Sequence, residues 1–273
     1  MRAGYGYAHK GMAVDPSVYV APTARVDPRA VIGPRTRIGE YCVIESDVVI
    51  GADCLFEPYV YIKRWTTMGD GNQVSAGCVF GTDPFDKGFT GERSYLRIGH
   101  GNIIREHWTI SRGTAPESVT LVGDGNFVMG SGHIAHNAVV GSNATIASCT
   151  LLAGYVEVED RAFISGGVVV HQFSRIGTLA MIGGNVRVNS DVPPYFMYAD
   201  FNVAAKGLNL VGLKRAGFGR DQISALKRAY QLLYREGLKL EEALVRIEQE
   251  VGTAEAMHLV EFVRGSKRGI CRE

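Results

Sequence analysis

Large apolar residues recur every sixth position from the start of the readable pattern. Stepping by six from Val14 gives Val20, Val26, Ile32, Ile38, Ile44, Ile50, Phe56, Ile62, Met68, Val74 and Phe80, twelve apolar residues in a row. The phase lapses across Gly81 to Arg97 and returns at Ile98, Ile104 and Ile110. After a second lapse, from about Arg112 to Leu121, it runs from Val122 through Val128, Ile134, Val140, Ile146, Leu152, Val158, Ile164, Val170, Ile176 and Ile182 to Val188. Four residues after each large residue stands a mostly small one: Ala24, Ala30, Thr36, Cys42 and Cys54 early, Ala138, Ala144 and Thr150 later.

A period of six fits neither an amphipathic helix nor an alternating strand. It fits a three-walled parallel coil in which short strands form the walls and a tight turn makes each corner. Three hexads close one coil of eighteen residues, and residues eighteen apart stack about 4.8 Å from each other. The large residue fills the interior and the small one lies where a corner leaves little room. Cys42, Cys54 and Cys78 fall in that small slot and read as packing residues. The 34 glycines suit a fold with many turns. The two lapses predict excursion loops near 81–97 and 112–121, natural places for function on a rigid scaffold.

Past Val188 the hexads stop at Asp191-Val192-Pro193-Pro194. The apolar stripes Ile223, Leu226, Tyr230, Leu233, Tyr234 and Leu240, Leu244, Ile247, Val251 then predict amphipathic helices. The chain thus divides into a mainly β repeat domain, 1–190, and a C-terminal α-helical domain, 191–273. Between Lys206 and Arg235 seven basic residues accompany one acidic one, either a solvated face or a surface for a phosphate-bearing ligand or acidic partner.

The overall charge of +1 gives no pull toward nucleic acid. No apolar run is long enough for a membrane span. Met1 to Lys10 lacks a secretory h-region, and five cysteines without CxxC pairing read as reduced thiols. A cytoplasmic location is expected.

Chemistry concentrates in the second repeat block. His133 and His136 flank the inward Ile134, and His171 follows the inward Val170, so all three should point out of the coil. Gly154 lies eighteen residues after His136. An imidazole beside a glycine amide has the make-up of a general base next to an oxyanion donor. The bland alternative is surface histidines. Histidines three apart also suit a metal, and His107, His133 and His136 together define a zinc hydratase alternative. A non-catalytic trimeric scaffold is a further one.

Several segments carry a resemblance: Gly91-Glu92, Ile104-Arg105-Glu106, Arg112-Gly113-Thr114, His133-Ile134-Ala135-His136, Leu152-Ala153-Gly154, His171-Gln172-Phe173, Asp191-Val192-Pro193-Pro194-Tyr195 and Gly212-Leu213-Lys214-Arg215. With them, nearly the whole chain resembles the acyl-carrier-protein-dependent UDP-N-acetylglucosamine O-acyltransferases of lipid A biosynthesis. The resemblance implies a left-handed parallel β-helix, where other parallel crossovers are right-handed. It also implies a homotrimer with active sites between neighbouring β-helices. The implied reaction moves an (R)-3-hydroxyacyl group from the phosphopantetheine of acyl carrier protein to the sugar 3-position, with no other cofactor and no metal. Carried over, His136 is the general base and Gly154 the oxyanion donor. His133 and His171 orient substrate. Asp86, Gln172, Asn209 and Arg215 bind the nucleotide sugar. Gly184 stands where side-chain size limits acyl length.

Departures from the family pattern are concentrated on the acceptor side. Tyr155 replaces a site histidine, and its hydroxyl can still donate a hydrogen bond. The usual Asp-x-Lys reads Asp86-Lys87-Gly88. Val211 replaces an acidic residue, Ala216 replaces the second arginine of a pair, and Asn137 stands where many members have Asp. One lost charge-assisted hydrogen bond costs on the order of 1.5–3 kcal/mol, at least tenfold in acceptor binding. The alternative within the family is therefore a paralogous acyltransferase with a different nucleotide-sugar or amino-sugar acceptor.

Overall fold

The computed structural model describes residues 14–200 and 203–271. Short strands, mostly of two residues, stack into three sheets of eleven, nine and eight strands, all paired in parallel except the last strand of the first sheet. Together they form the walls of a left-handed parallel β-helix. Register follows the eighteen-residue coil: Tyr19 pairs with Arg37, and His133 with Leu151. Across the excursions the step grows to Met68 with Ile98 and Ile110 with Ile134. Those are thirty and twenty-four residues, so the loops insert two hexads and one, and the repeat resumes in phase.

The inward positions behave as the period requires. Ile32, Ile44, Phe56, Ile62, Phe80, Ile134 and Ile164 are all buried, as are Cys42, Cys54 and Cys78 in the small slots. Each buried aliphatic side chain contributes about 1.5–3 kcal/mol, repeated coil after coil. Three inward slots hold asparagine instead. Asn72, Asn102 and Asn126 are buried and hand hydrogen bonds up the coil: Oδ1 of Asn72 and of Asn102 accepts from the next asparagine's backbone N–H and amide at 2.9–3.0 Å, and Oδ1 of Asn126 accepts from Ala144 N–H at 2.8 Å. Each buried carboxamide is thereby satisfied.

Corner residues adopt the left-handed backbone region, among them Asn137 (φ 58°), Tyr155 (φ 58°) and Phe173 (φ 65°). Bulky residues seldom take this conformation. Here it is a property of the corner, repeated along the coil, and so carries no functional meaning by itself.

The excursions are shorter than the lapses in phase. Val79–Thr82, Tyr95–Ile98, Trp108–Ser111 and Val119–Val122 are strands, which leaves 83–94 and 112–118 as loops. Arg112 anchors them. It is buried, pairs with Asp83, and stacks between Trp65 and Phe89, 5.0 and 5.1 Å from their ring centroids.

The expected helical domain from 191 onward needs correcting. Phe196–Ala199 continues one wall in parallel, pairing Met197 with Met181, and turns back antiparallel as Ala204–Leu208. The proline pair ends the coil's turn geometry, but Phe196 and Tyr198 still alternate inward and are buried. Helices begin at α1 (Leu210–Arg215), followed by α2 (Arg220–Tyr234), α3 (Leu240–Glu250) and α4 (Ala254–Arg264). The two apolar stripes supply the buried faces of α2 and α3. Helix α4 was not anticipated; Thr253 caps it, its hydroxyl accepting from Ala256 N–H. The helices share one continuous core with the last coils.

Candidate active site

The corner between the wall carrying His133 and the wall carrying Val139 is built three times in succession, at residues 135–138, 153–156 and 171–174. His136, Gly154 and Gln172 form one vertical column, and Asn137, Tyr155 and Phe173 the next. His136 was expected to point out of the coil into the open, but it is covered and keeps only 6% of its surface. Gly154 supplies the space for the imidazole. A Cβ on Gly154 would sit 2.6 Å from Nε2 and 3.1 Å from Nδ1. Tyr155 covers another side, its ring 5.4 Å from the imidazole and edge-on to it. Tyr155 in turn stacks on Phe173 at 5.0 Å.

Hydrogen-bond direction settles which nitrogen of His136 is basic. The backbone N–H of Thr114 can only donate, and it lies 3.1 Å from the Asn137 side-chain atom assigned as Oδ1. That atom is therefore an oxygen. It also lies 3.2 Å from His136 Nδ1. In the neutral imidazole Nδ1 must then carry the hydrogen, leaving the lone pair on Nε2, which has no hydrogen-bond partner among the described residues. The Gly154 amide likewise donates to no acceptor among the described residues. A basic nitrogen and an uncommitted N–H donor thus stand on adjacent coils.

His133 stands on the neighbouring wall, half-buried beneath Phe85 of the first excursion loop, ring centroids 4.9 Å apart. Its Nδ1 is 2.7 Å from Thr109 Oγ1, and its Nε2 is buried without a partner. Burial holds its pKa below the ordinary histidine value, with a smaller push from His136. His133 is therefore a neutral imidazole with one unmet polar atom beside the base. His171 is exposed, its Nδ1 3.0 Å from the Gln172 carbonyl oxygen. Asp86 is exposed on the loop, and its carboxylate accepts from Gly88 N–H at 2.8 Å. Sequence reasoning gave no role to Phe85, Thr109 or Thr114; only their spatial neighbours reveal them.

Asn209, Val211, Arg215 and Ala216 lie elsewhere. They line a groove of about 700 Å³ on the wall carrying Thr145, together with Phe163, Met181 and Met197. Asn209 caps α1: its Oδ1 accepts from Gly212 N–H at 3.0 Å, and its Nδ2 donates to Leu179 O at 2.9 Å. Both ends of that amide are committed, which the sequence could not show. Arg215 and Val211 are exposed. Gly184 sits at a third corner, where an added Cβ would meet the Gly166 carbonyl oxygen at 3.1 Å. The predicted site residues therefore fall into separate clusters: His133, His136, Gly154, Tyr155, His171 and Gln172 in one, Asn209 and Arg215 in another. His107 packs against Gly77, a corner away from His136. The described residues hold no group of His, Cys, Asp and Glu with metal-binding geometry. The basic stretch is partly neutralised, with Lys206 paired to Asp200 and Arg228 to Glu236 and Glu250.

A family profile described as UDP N-acetylglucosamine O-acyltransferase, domain 2, matches residues 191–271. The acyl-[acyl-carrier-protein]–UDP-N-acetylglucosamine O-acyltransferase of Gloeothece citriformis is 42% identical over 207 residues, 76% of this chain and 75% of that one. Its counterpart from Burkholderia orbicola is 41% identical over 211 residues, 75% of this chain and 80% of that protein. Among solved structures, the UDP-N-acetylglucosamine acyltransferase of Bacteroides fragilis superposes with a TM-score of 0.85 at 37% identity, covering 94% of this chain and 98% of that one. The Arabidopsis enzyme gives a TM-score of 0.80 at 34% identity, covering 94% and 99%. With its repeat, its paired His136 and Gly154 and relatives of this identity across three quarters of its length, the chain belongs to the acyl-[acyl-carrier-protein]–UDP-N-acetylglucosamine O-acyltransferase family.

Proposed function

We propose that the protein transfers an (R)-3-hydroxyacyl group from the phosphopantetheine thioester of acyl carrier protein to the 3-hydroxyl of UDP-N-acetylglucosamine. The observation that carries this reading is the basic Nε2 of His136 packed against Gly154, whose amide takes no acceptor among the described residues. Nε2 removes the proton of the acceptor hydroxyl as its oxygen attacks the thioester carbonyl. The Gly154 N–H meets the negative charge that gathers on the carbonyl oxygen. When the tetrahedral intermediate collapses, the C–S bond breaks and the proton on Nε2 passes to the departing thiolate. The reaction needs no cofactor beyond the carrier's own phosphopantetheine.

His133 and His171 orient the substrates around this pair, with Gln172, Tyr155 and Asp86 nearby. The groove with Asn209 and Arg215 lies on a different wall, so one chain holds two half-sites. A homotrimer in which one subunit's groove faces its neighbour's His136 corner would join them. Gly184 leaves the acyl path open for a longer chain, and a cytoplasmic location fits the carrier-bound donor.

The test is to incubate the purified protein with (R)-3-hydroxyacyl carrier protein and a panel of nucleotide sugars, then read products by mass spectrometry. Acylated UDP-N-acetylglucosamine is expected, with His136→Ala reducing turnover at least a hundredfold. Turnover confined to an amino-sugar nucleotide, or activity untouched by His136→Ala, overturns the proposal. Light scattering of the same sample reports whether it is a trimer.

A further inference from the structure

We propose that Tyr155 and Thr114 are positioning residues that keep the Asn137 amide facing His136 oxygen-first, and so keep Nε2 of His136 free to take a proton. The chain of bonds is directional. The Asn137 Oδ1 accepts the Thr114 backbone N–H at 3.1 Å and the Thr114 hydroxyl at 2.9 Å. With its hydrogen used this way, the Thr114 oxygen offers only lone pairs to Tyr155, whose hydroxyl lies 3.1 Å away and therefore donates. The order is Tyr155 O–H to Thr114 Oγ1, Thr114 O–H to Asn137 Oδ1, and His136 Nδ1–H to the same Oδ1. The Asn137 backbone N–H is held separately by Thr120 Oγ1 at 2.7 Å.

An asparagine amide has two nearly isosteric ends. If it turned over, its NH₂ would face Nδ1, the imidazole would move its hydrogen to Nε2, and the base would be lost. Thr114 prevents this by presenting two donors to one oxygen. Tyr155 biases the Thr114 hydroxyl the same way: its O–H takes one of the two Thr114 lone pairs, so a turned Asn137 NH₂ would have to take the other and leave the Thr114 hydrogen without the Oδ1 it now bonds. The second excursion loop thereby acts on the base through a side chain of the next coil, and Tyr155 need not touch substrate to matter. An aspartate at 137 would need no such arrangement, since both of its oxygens only accept.

The kinetic arm rests on the transferase reading; a spectroscopic arm does not. Tyr155→Phe should lower kcat about fivefold, the scale of one neutral hydrogen bond, with acceptor KM unchanged. In an Asn137→Asp background the same Tyr155→Phe change should cost less than twofold. Independently of activity, ¹⁵N spectra of histidine-labelled protein, assigned by difference against His136→Asn, should show protonated Nδ1 and bare Nε2 for His136, and a mixture of the two forms in Tyr155→Phe. An equal loss in both backgrounds, a rise in KM at constant kcat, or a His136 spectrum unmoved by Tyr155→Phe overturns the proposal. Wild-type protein with no transferase activity defeats the functional reading alone and leaves the spectra to decide this one.

Discussion

Gly154→Ala tests the pairing of base and glycine most directly. Gly154 does not use the left-handed backbone region, so alanine fits the main chain without strain, and only the imidazole objects. The new Cβ would lie 2.4 Å from Cε1 and 2.6 Å from Nε2, against an ordinary contact of about 3.5 Å. The ring must retreat by roughly 1.1 Å, swinging about its bond to Asn137 or losing it. A misplacement of about 1 Å in a reacting group costs on the order of a hundredfold, equivalent to about 2.7 kcal/mol of transition-state stabilisation. The expected result is a loss of that size in kcat/KM for acyl transfer, with circular dichroism and thermal midpoint nearly unchanged. Gly130→Ala is the control, since its Cβ would meet only Glu106, at 3.5 Å or beyond. A Gly154→Ala enzyme with more than a third of wild-type kcat/KM would refute the idea that the imidazole works from the place it occupies here.

Three further outcomes are expected. Arg112→Met removes the buried cation that ties Asp83, Trp65 and Phe89 together; because Asp83 can turn to solvent, the loss should be about 1–3 kcal/mol in urea unfolding, with faster proteolysis at Lys87. His258 bridges α4 to the β-helix, its Nε2 3.1 Å from Glu159 and its Nδ1 2.8 Å from the Tyr195 hydroxyl. The hydrogen bond to Glu159 raises the His258 pKa against an opposing effect of burial. Burial is the largest influence on Glu159, yet His258 and Thr178 together lower its pKa. The stabilisation from His258 is thus complete below about pH 6.5 and fades as pH rises through the raised value, while that from Glu159 holds above about pH 4.5 and fades as pH falls through the lowered one. The thermal midpoint should decline on the alkaline side, and His258→Gln should flatten that decline. Finally, Ala216→Arg adds a cation to the groove holding Arg215; the KM for UDP-N-acetylglucosamine should fall about tenfold with kcat unchanged, as steady-state kinetics can show.

The coil was legible because its geometry allows little choice. A triangular coil closes only if every sixth residue fills the interior, and both excursions insert whole hexads, so the pattern survives them. The His136 and Gly154 pair was legible for the same reason: eighteen residues is one turn. What escaped the sequence is whatever depends on side-chain direction at the corners. Period six places His136 outside the coil, but it cannot say that Tyr155 folds over it or that Thr114 reaches Asn137 from a loop whose path has no period. Asn209 was expected to meet substrate; its place before α1 makes it a cap first, because the Gly212 N–H needs an acceptor. The strands at Phe196–Ala199 and Ala204–Leu208 were hidden by the prolines before them. Helix α4 was hidden by its apolar composition, which blurs a one-sided stripe.

Stacked corners also change what a substitution means. In an ordinary loop each residue answers to its own surroundings; here residues eighteen apart form a column, and each limits its neighbour. His136 requires glycine at 154 because the ring occupies the volume a Cβ would take. Asn137, unlike a carboxylate, has a wrong way round, so it requires donors that fix its direction; Thr114 supplies them, and Tyr155 bonds the Thr114 hydroxyl in turn. Seen position by position, Tyr155 and Asn137 are two independent departures that each weaken the site. Seen as a column they are one change, in which a neutral amide replaces a charge and a hydroxyl on the next coil replaces the certainty that charge provided. It follows that Asn137→Asp and Tyr155→Phe should be far from additive, because both act on the one amide that faces His136.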